Sequence, residues 1–116
     1  MKNYVKDGKN MTFTAPSGGV VSGAPVLIGV LLVVPLTTAL EGEQFAGEVN
    51  GVIQGTKVSA QAWTEGQLIF WDNTNKRFTT ASATGLYACG VAGAAAANPS
   101  ATGTVRLDGI ALTAVA

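Results

Sequence analysis

The chain has 116 residues, enough for one domain, and 12% of them are charged against 47% hydrophobic. Seven basic residues balance seven acidic ones, so the chain lacks the net positive charge that drives binding to phosphate backbones. Histidine is absent, which removes the commonest general base and metal ligand, and a single cysteine, Cys89, excludes an intrachain disulfide.

Lys2, Lys6 and Lys9, broken by Asp7, mark residues 1–10 as a solvated N-terminal arm that is flexible until it binds. Residues 11–116 are read as one β domain. Residues 1–23 are polar and glycine-rich, without the apolar stretch that follows the basic start of a secretory signal. In MTFTA (11–15), Met11, Phe13 and Ala15 alternate with two threonines, the period of a half-buried strand. PSGG (16–19) breaks it.

The greasiest stretch is VLIGVLLVVPL (26–36). A membrane helix needs about 20 consecutive apolar residues. The run from Ala24 to Leu36 is shorter, has Pro25 and Pro35 near its ends and is interrupted by Gly29. Its β-branched side chains favour strands. It is therefore read as Val26–Ile28 and Leu31–Thr38, joined by a bend at Gly29-Val30. Strands apolar at consecutive positions are buried on both faces. In a chain this small, one of those faces is expected to fall against a neighbouring subunit.

GEQFAGEV (42–49) places Phe45, Gly47 and Val49 on one side, and Gly47 suggests a bulge or a close backbone approach. Asn50-Gly51 comes next and predicts a hairpin turn into VIQGTKV (52–58). QLIFW (67–71) reads as a strand apolar on both faces, DNTNK (72–76) as a turn and RFTT (77–80) as the returning strand. LYACGVAG (86–93) is a strand made narrow by small residues. AAAANPSATG (94–103) is a loop, because Asn98-Pro99 and Gly103 limit any helix there. TVRLDG (104–109) alternates again with Val105 and Leu107 inward, and IALTA (110–114) extends it. About eight or nine short strands with regular turns imply an all-β fold, a compact single-domain β-barrel or β-sandwich.

No catalytic, cofactor-binding or metal-ligating set emerges. Cys89 lies among glycines and alanines and reads as a small buried hydrophobe. Glu41, Glu43 and Glu48 are close in sequence, but Glu43 and Glu48 face different ways in a strand and read as solvated hairpin residues. GVIQGTK (51–57) fails as a phosphate loop, with three residues between its glycines, Thr56 before Lys57 and Val58 after it. Trp63, Phe70, Trp71, Phe78 and Tyr87 have only Lys76 and Arg77 beside them, so they read as packing residues rather than a stacking platform for single strands.

Two long segments, NYVKDGKNMTFTAPSGGVVSGAPVLIG and GQLIFWDNTNKRFTT…GVAGAAAANPSATGTVRLDG, resemble the small capsid cement, or decoration, proteins of tailed bacteriophages and prophages. The resemblance implies a compact β fold, no catalysis, no cofactor and the major capsid protein as partner. It implies residence on the capsid surface of the virion after synthesis in the bacterial host cytoplasm. A homo-oligomer, trimer or dimer, suits the repeated joints of a symmetric shell. Neither nucleic acid nor membrane is an expected partner. The arm belongs to the resemblance through Asn3-Tyr4-Val5, and Lys2, Asn3, Tyr4 and Lys6 are the expected capsid contacts. A head–tail or tail component, or a small β-barrel nucleic-acid module, is the alternative reading.

Overall fold

A computed structural model of the chain describes residues 10–109 and 111–115. Among these there is no helix and there are nine strands: β1 (Asn10–Thr14), β2 (Val26–Ile28), β3 (Leu31–Pro35), β4 (Gln44–Glu48), β5 (Asn50–Thr56), β6 (Leu68–Asp72), β7 (Arg77–Thr79), β8 (Tyr87–Ala92) and β9 (Thr102–Asp108). They form two antiparallel sheets, ordered β1-β4-β3-β2 and β5-β9-β8-β6-β7. Lys57, just past β5, bridges to Phe78 of β7, and the Val58 amide donates to the Phe78 carbonyl at 3.0 Å. This curls the five-stranded sheet back on itself as a half-barrel.

Several strands form where the sequence patterns place them. Ile28 faces Leu31 across a two-residue turn, with Gly29 at φ 62° supplying the left-handed backbone. Asp72 faces Arg77, and its carboxylate accepts the Thr74 and Asn75 amides inside the turn. Residues 94–101 are a loop, pinned where Trp63 and Ala96 exchange both backbone hydrogen bonds.

The pair Asn50-Gly51 is not a hairpin turn. It opens β5, whose partner is β9, with Asn50 opposite Asp108. Burial alternates without a break from Phe45 through Lys57, odd residues inward and even residues more exposed. Val49 is 3% exposed at the crossing point. The hydrophobic pattern therefore carries the chain straight from one sheet into the other, and the intrinsic preference of Asn-Gly for reversal is overridden.

The core lies in two clusters with β3 between them. Leu32 and Val34 pack with Trp63, Ile69, Trp71, Phe78, Val105 and Leu107. Val33, pointing the other way, packs with Ala15, Val20, Ala39, Phe45 and Val49. Both faces of β3 are thus covered within the chain, which corrects the expectation that one would be left to a neighbouring subunit. The folded-over segment 15–24 and the loop 36–43 supply the missing cover, since Val20 and Ala39 exchange hydrogen bonds at 2.9 and 3.1 Å. The C-terminal segment does not extend β9. It lies along β8, with Ala114 bridged to Tyr87 and the Leu112 amide donating to Val30 at 2.7 Å.

Candidate functional site

The groups that carry chemistry elsewhere are used for packing here. Cys89 is the extra residue of a bulge, where Ile69 pairs with Gly90 and Phe70 with Ala88. The bulge turns the thiol inward, 2% exposed, with its sulfur 3.5 Å from the Ile69 carbonyl oxygen. Burial, helped by the nearby negative charge of Asp108, pushes the thiol up to about 12. A thiol held neutral this way is not a nucleophile. Trp63, Phe70, Trp71 and Phe78 are all buried, and Tyr87 is half-buried, so these rings present no platform for bases. Glu41 and Glu43 accept loop amides, from Gly18 at 3.3 Å and Leu40 at 2.7 Å. Among the described residues no three His, Cys, Asp or Glu side chains stand close enough to share a metal ion.

GVIQGTK is strand and strand end, and its Lys57 is buried at 3% exposure. The amine donates to the carbonyls of Val58 at 2.9 Å and of Ser59 and Ser100 at 3.4 Å. With its donors committed to protein carbonyls, it is not available to a phosphate.

A groove of ≈ 710 Å³ runs between the segment Pro16–Val26 and the C-terminal half of β5. Gln54, Thr56 and Thr102 line one wall, and Lys76 is the one charged residue among those lining it. It holds no pair of groups suited to proton transfer or nucleophilic attack.

Two apolar surfaces remain. The first is at the loops, where Val21, Leu36 and Leu40 are 61%, 47% and 73% exposed. The second is ordered. On the outer face of the half-barrel sheet, Val52 pairs with Arg106, Arg106 with Val91 and Val91 with Leu68. The four side chains form one row across four strands. Val52 and Leu68 are 62% and 51% exposed, Arg106 is exposed and Val91 is half-buried. The flanking positions are uncharged on one side, with Gln54 donating to Thr102 at 3.4 Å, and Asn50 and Asp108 close the other.

A family model described as phage cement protein matches residues 5–107. The chain belongs to that family. No curated protein and no solved structure matches it. Cement is a structural role in the phage capsid. Among the described residues no helix is long and apolar enough to cross a membrane.

The site residues expected from sequence, Lys2, Asn3, Tyr4 and Lys6, lie outside the described residues. The described chain begins at Asn10, paired with Glu48 at the point where β4 passes into β5. Sequence reading missed the exposed row, because each member sits in a different segment. Only the strand register brings Val52, Arg106, Val91 and Leu68 together.

Proposed function

We propose that this protein is a non-enzymatic decoration protein that binds the outside of the major capsid protein shell and stabilises it. The observation that carries this reading is the family match over residues 5–107. The fold supports it physically. A cement protein adds binding energy across joints between shell subunits, which calls for a rigid body and a largely uncharged contact surface. The two-cluster core and the exposed, sparsely charged outer sheet face fit that task. The N-terminal arm is the second element of the contact, with Tyr4 as an apolar anchor and Lys2, Asn3 and Lys6 around it. The protein acts as a homo-oligomer, trimer or dimer, matching a symmetry axis of the shell, and it takes neither nucleic acid nor membrane as partner. It is made in the bacterial host cytoplasm.

The test is to mix the purified protein with undecorated shells assembled from the major capsid protein of the same phage or prophage. The expected result is saturable binding at many copies per shell and disruption of the shells at a higher temperature. Binding at only a few copies per particle, at a vertex, makes it a head–tail component instead. Absence of binding removes the reading.

A further inference from the structure

We propose that the open edge of β5 at Asn50, Val52 and Gln54 is a slot that takes one extended, neutral to acidic segment of the major capsid protein as an added strand. This rests on the cement reading and names what the protein holds.

The chain runs extended from β4 into β5, and its hydrogen bonds sort by parity, because alternate residues of a strand turn their backbone groups to the same edge. The Ala15 amide donates to Glu43 on the β1 side, and the Lys57 amide donates to Ala101 on the β9 side. The registers that continue from these pairs turn the odd residues from Glu43 to Lys57 towards β1 and β9. The even residues face the opposite edge. There the Leu36 amide donates to Ala46, Val34 pairs with Glu48, and the Val58 amide donates to Phe78. Asn50, Val52 and Gln54 lie between, and among the described residues no strand pairs with them on that side. Their amides and carbonyls stand open at strand spacing, on an edge closed at one end by β3 and at the other by β7.

Open strand edges are normally blunted by charged side chains, proline or a bulge. β5 (NGVIQGT) has no charged residue and no proline, and its pairing with β9 is regular. Another extended backbone is the ligand that matches N–H and C=O groups at this spacing.

The slot favours a lone segment over the edge of a folded sheet. Asn50–Gln54 spans about 17 Å at about 3.4 Å per residue. The groove of ≈ 710 Å³ adjoins it, with Pro16–Val26 as the wall opposite Gln54–Thr56. A strand of a folded sheet carries its neighbour about 4.8 Å behind it, on the side where this wall stands, whereas a single loop or tail brings nothing behind it. Two copies of β5 are further hindered by their own length. Antiparallel pairing over Asn50–Gln54 brings Gly47 and Glu48 of one copy beside Lys57 and Thr56 of the other, and Phe78 already holds that place. Charge separates the remaining tails. Lys76 is the one charged residue among those lining the groove. It disfavours residues 1–9 of another copy, which carry three Lys and one Asp, and favours a neutral or acidic segment of the shell protein.

Quenched amide exchange tests the slot, on the protein alone and on the protein bound to undecorated shells of the major capsid protein and then dissociated for NMR. The Val52 and Gln54 amides are expected to exchange freely in the protein alone and on the order of tenfold more slowly or better on shells. The Ile53 and Gly55 amides, which face β9, are expected to be slow in both. Val52→Pro removes an amide that faces the slot and leaves the β9 ladder in place, and is expected to bind shells on the order of tenfold more weakly. Val52→Ala keeps that amide and is expected to lose less. Unchanged exchange at Val52 and Gln54 in shell-bound protein overturns the proposal. So does equal weakening by folded Val52→Ala and Val52→Pro proteins, which assigns the contact to the side chain. Protection of the two amides that rises with concentration in the protein alone also overturns it, and assigns the slot to a second copy. If the unaltered protein binds no shells, the cement reading falls and this occupant with it; a failure of the slot alone leaves shell binding intact and the two amides unprotected.

Discussion

Lys57 holds its amine 5.8 Å from the centre of the Trp63 ring while donating to three backbone carbonyls. The contact joins the end of β5 to the segments around residues 59 and 100, which meet again where the Ser100 amide donates to Ser59 at 3.1 Å. Replacing Lys57 with Met keeps most of the buried stem but leaves the carbonyls without their donor. The expected cost is about 2 kcal/mol in urea unfolding. Lys57→Arg is not expected to restore it, because a planar guanidinium does not fit a cage built for an ammonium.

Gly47 is opposite Pro35 and Met11 in the middle of the four-stranded sheet, and a methyl group added there overlaps Val33 Cγ1. Gly47→Ala is therefore expected to destabilise by about 2 kcal/mol through overpacking. Val33→Ala alone also destabilises, by opening a cavity. Combined, the two are expected to cost less than their sum, since each removes the strain or the space created by the other. Additive costs in a double-mutant cycle remove this explanation of Gly47.

Strand positions were legible wherever one local pattern sufficed. Alternation placed β1 and β9, Gly29-Val30 placed the first hairpin, and Asp72 with its asparagines placed the turn before Arg77. Gly47 suggested a bulge or a close backbone approach, but its pairing is regular and the atom that needs the space is the Val33 Cγ1 side-chain methyl. What sequence did not disclose depends on pairs distant along the chain. Asn50-Gly51 carries a turn signature, yet the burial of Val49 and the pairing with β9 hold it extended. The burial of Lys57 follows from carbonyls more than forty residues apart in the case of Ser100. The outer row needs three registers at once. Cys89 read as buried for its apolar neighbours, but the bulge that turns it inward is visible only against Ile69 and Phe70.

Cys89 gives a pH signature. Its folded thiol is pushed up to about 12 from an ordinary value of 9.0. The folded state therefore keeps its proton after the unfolded state has begun to lose it. Stability from this source is complete below pH 9 and declines as pH rises towards 12. Cys89→Ala is expected to cost about 1 kcal/mol at neutral pH, to retain shell binding and to show a shallower loss of stability above pH 9. The comparison is made by denaturant unfolding at a series of pH values. Parallel curves for the two proteins indicate that the thiol ionises equally in both states.

Asp72 gives the opposite dependence at acid pH. Its carboxyl is held below the ordinary 3.8, chiefly by the Asn75 side chain and further by the Asn75 and Thr74 amides and the charge of Arg77. Because the folded value is depressed, the contribution is present above the unfolded value and lost as pH falls through the folded one. Asp72→Asn is expected to destabilise the β6–β7 turn at neutral pH and to flatten the decline in stability below pH 4. The wild type and the variant are compared by thermal melts from pH 2 to pH 7.

The N-terminal arm separates contact from architecture in a single deletion. Residues 1–9 carry three Lys and one Asp, with Met1, Tyr4 and Val5 as their apolar side chains. If the arm contacts the capsid, deleting residues 1–9 leaves the melting temperature nearly unchanged and weakens shell binding strongly. Tyr4→Ala then accounts for much of that loss, about 2 kcal/mol, as aromatic anchors commonly do. Lys2→Ala and Lys6→Ala cost less, and their effect fades in high salt, because rim charges are screened over about 10 Å at ordinary ionic strength. If the arm is instead a terminal strand of the β domain, the deletion lowers the melting temperature and Val5→Ala is the more damaging point change. Full shell occupancy by a stable truncated protein overturns both readings, and places the whole contact on the folded body.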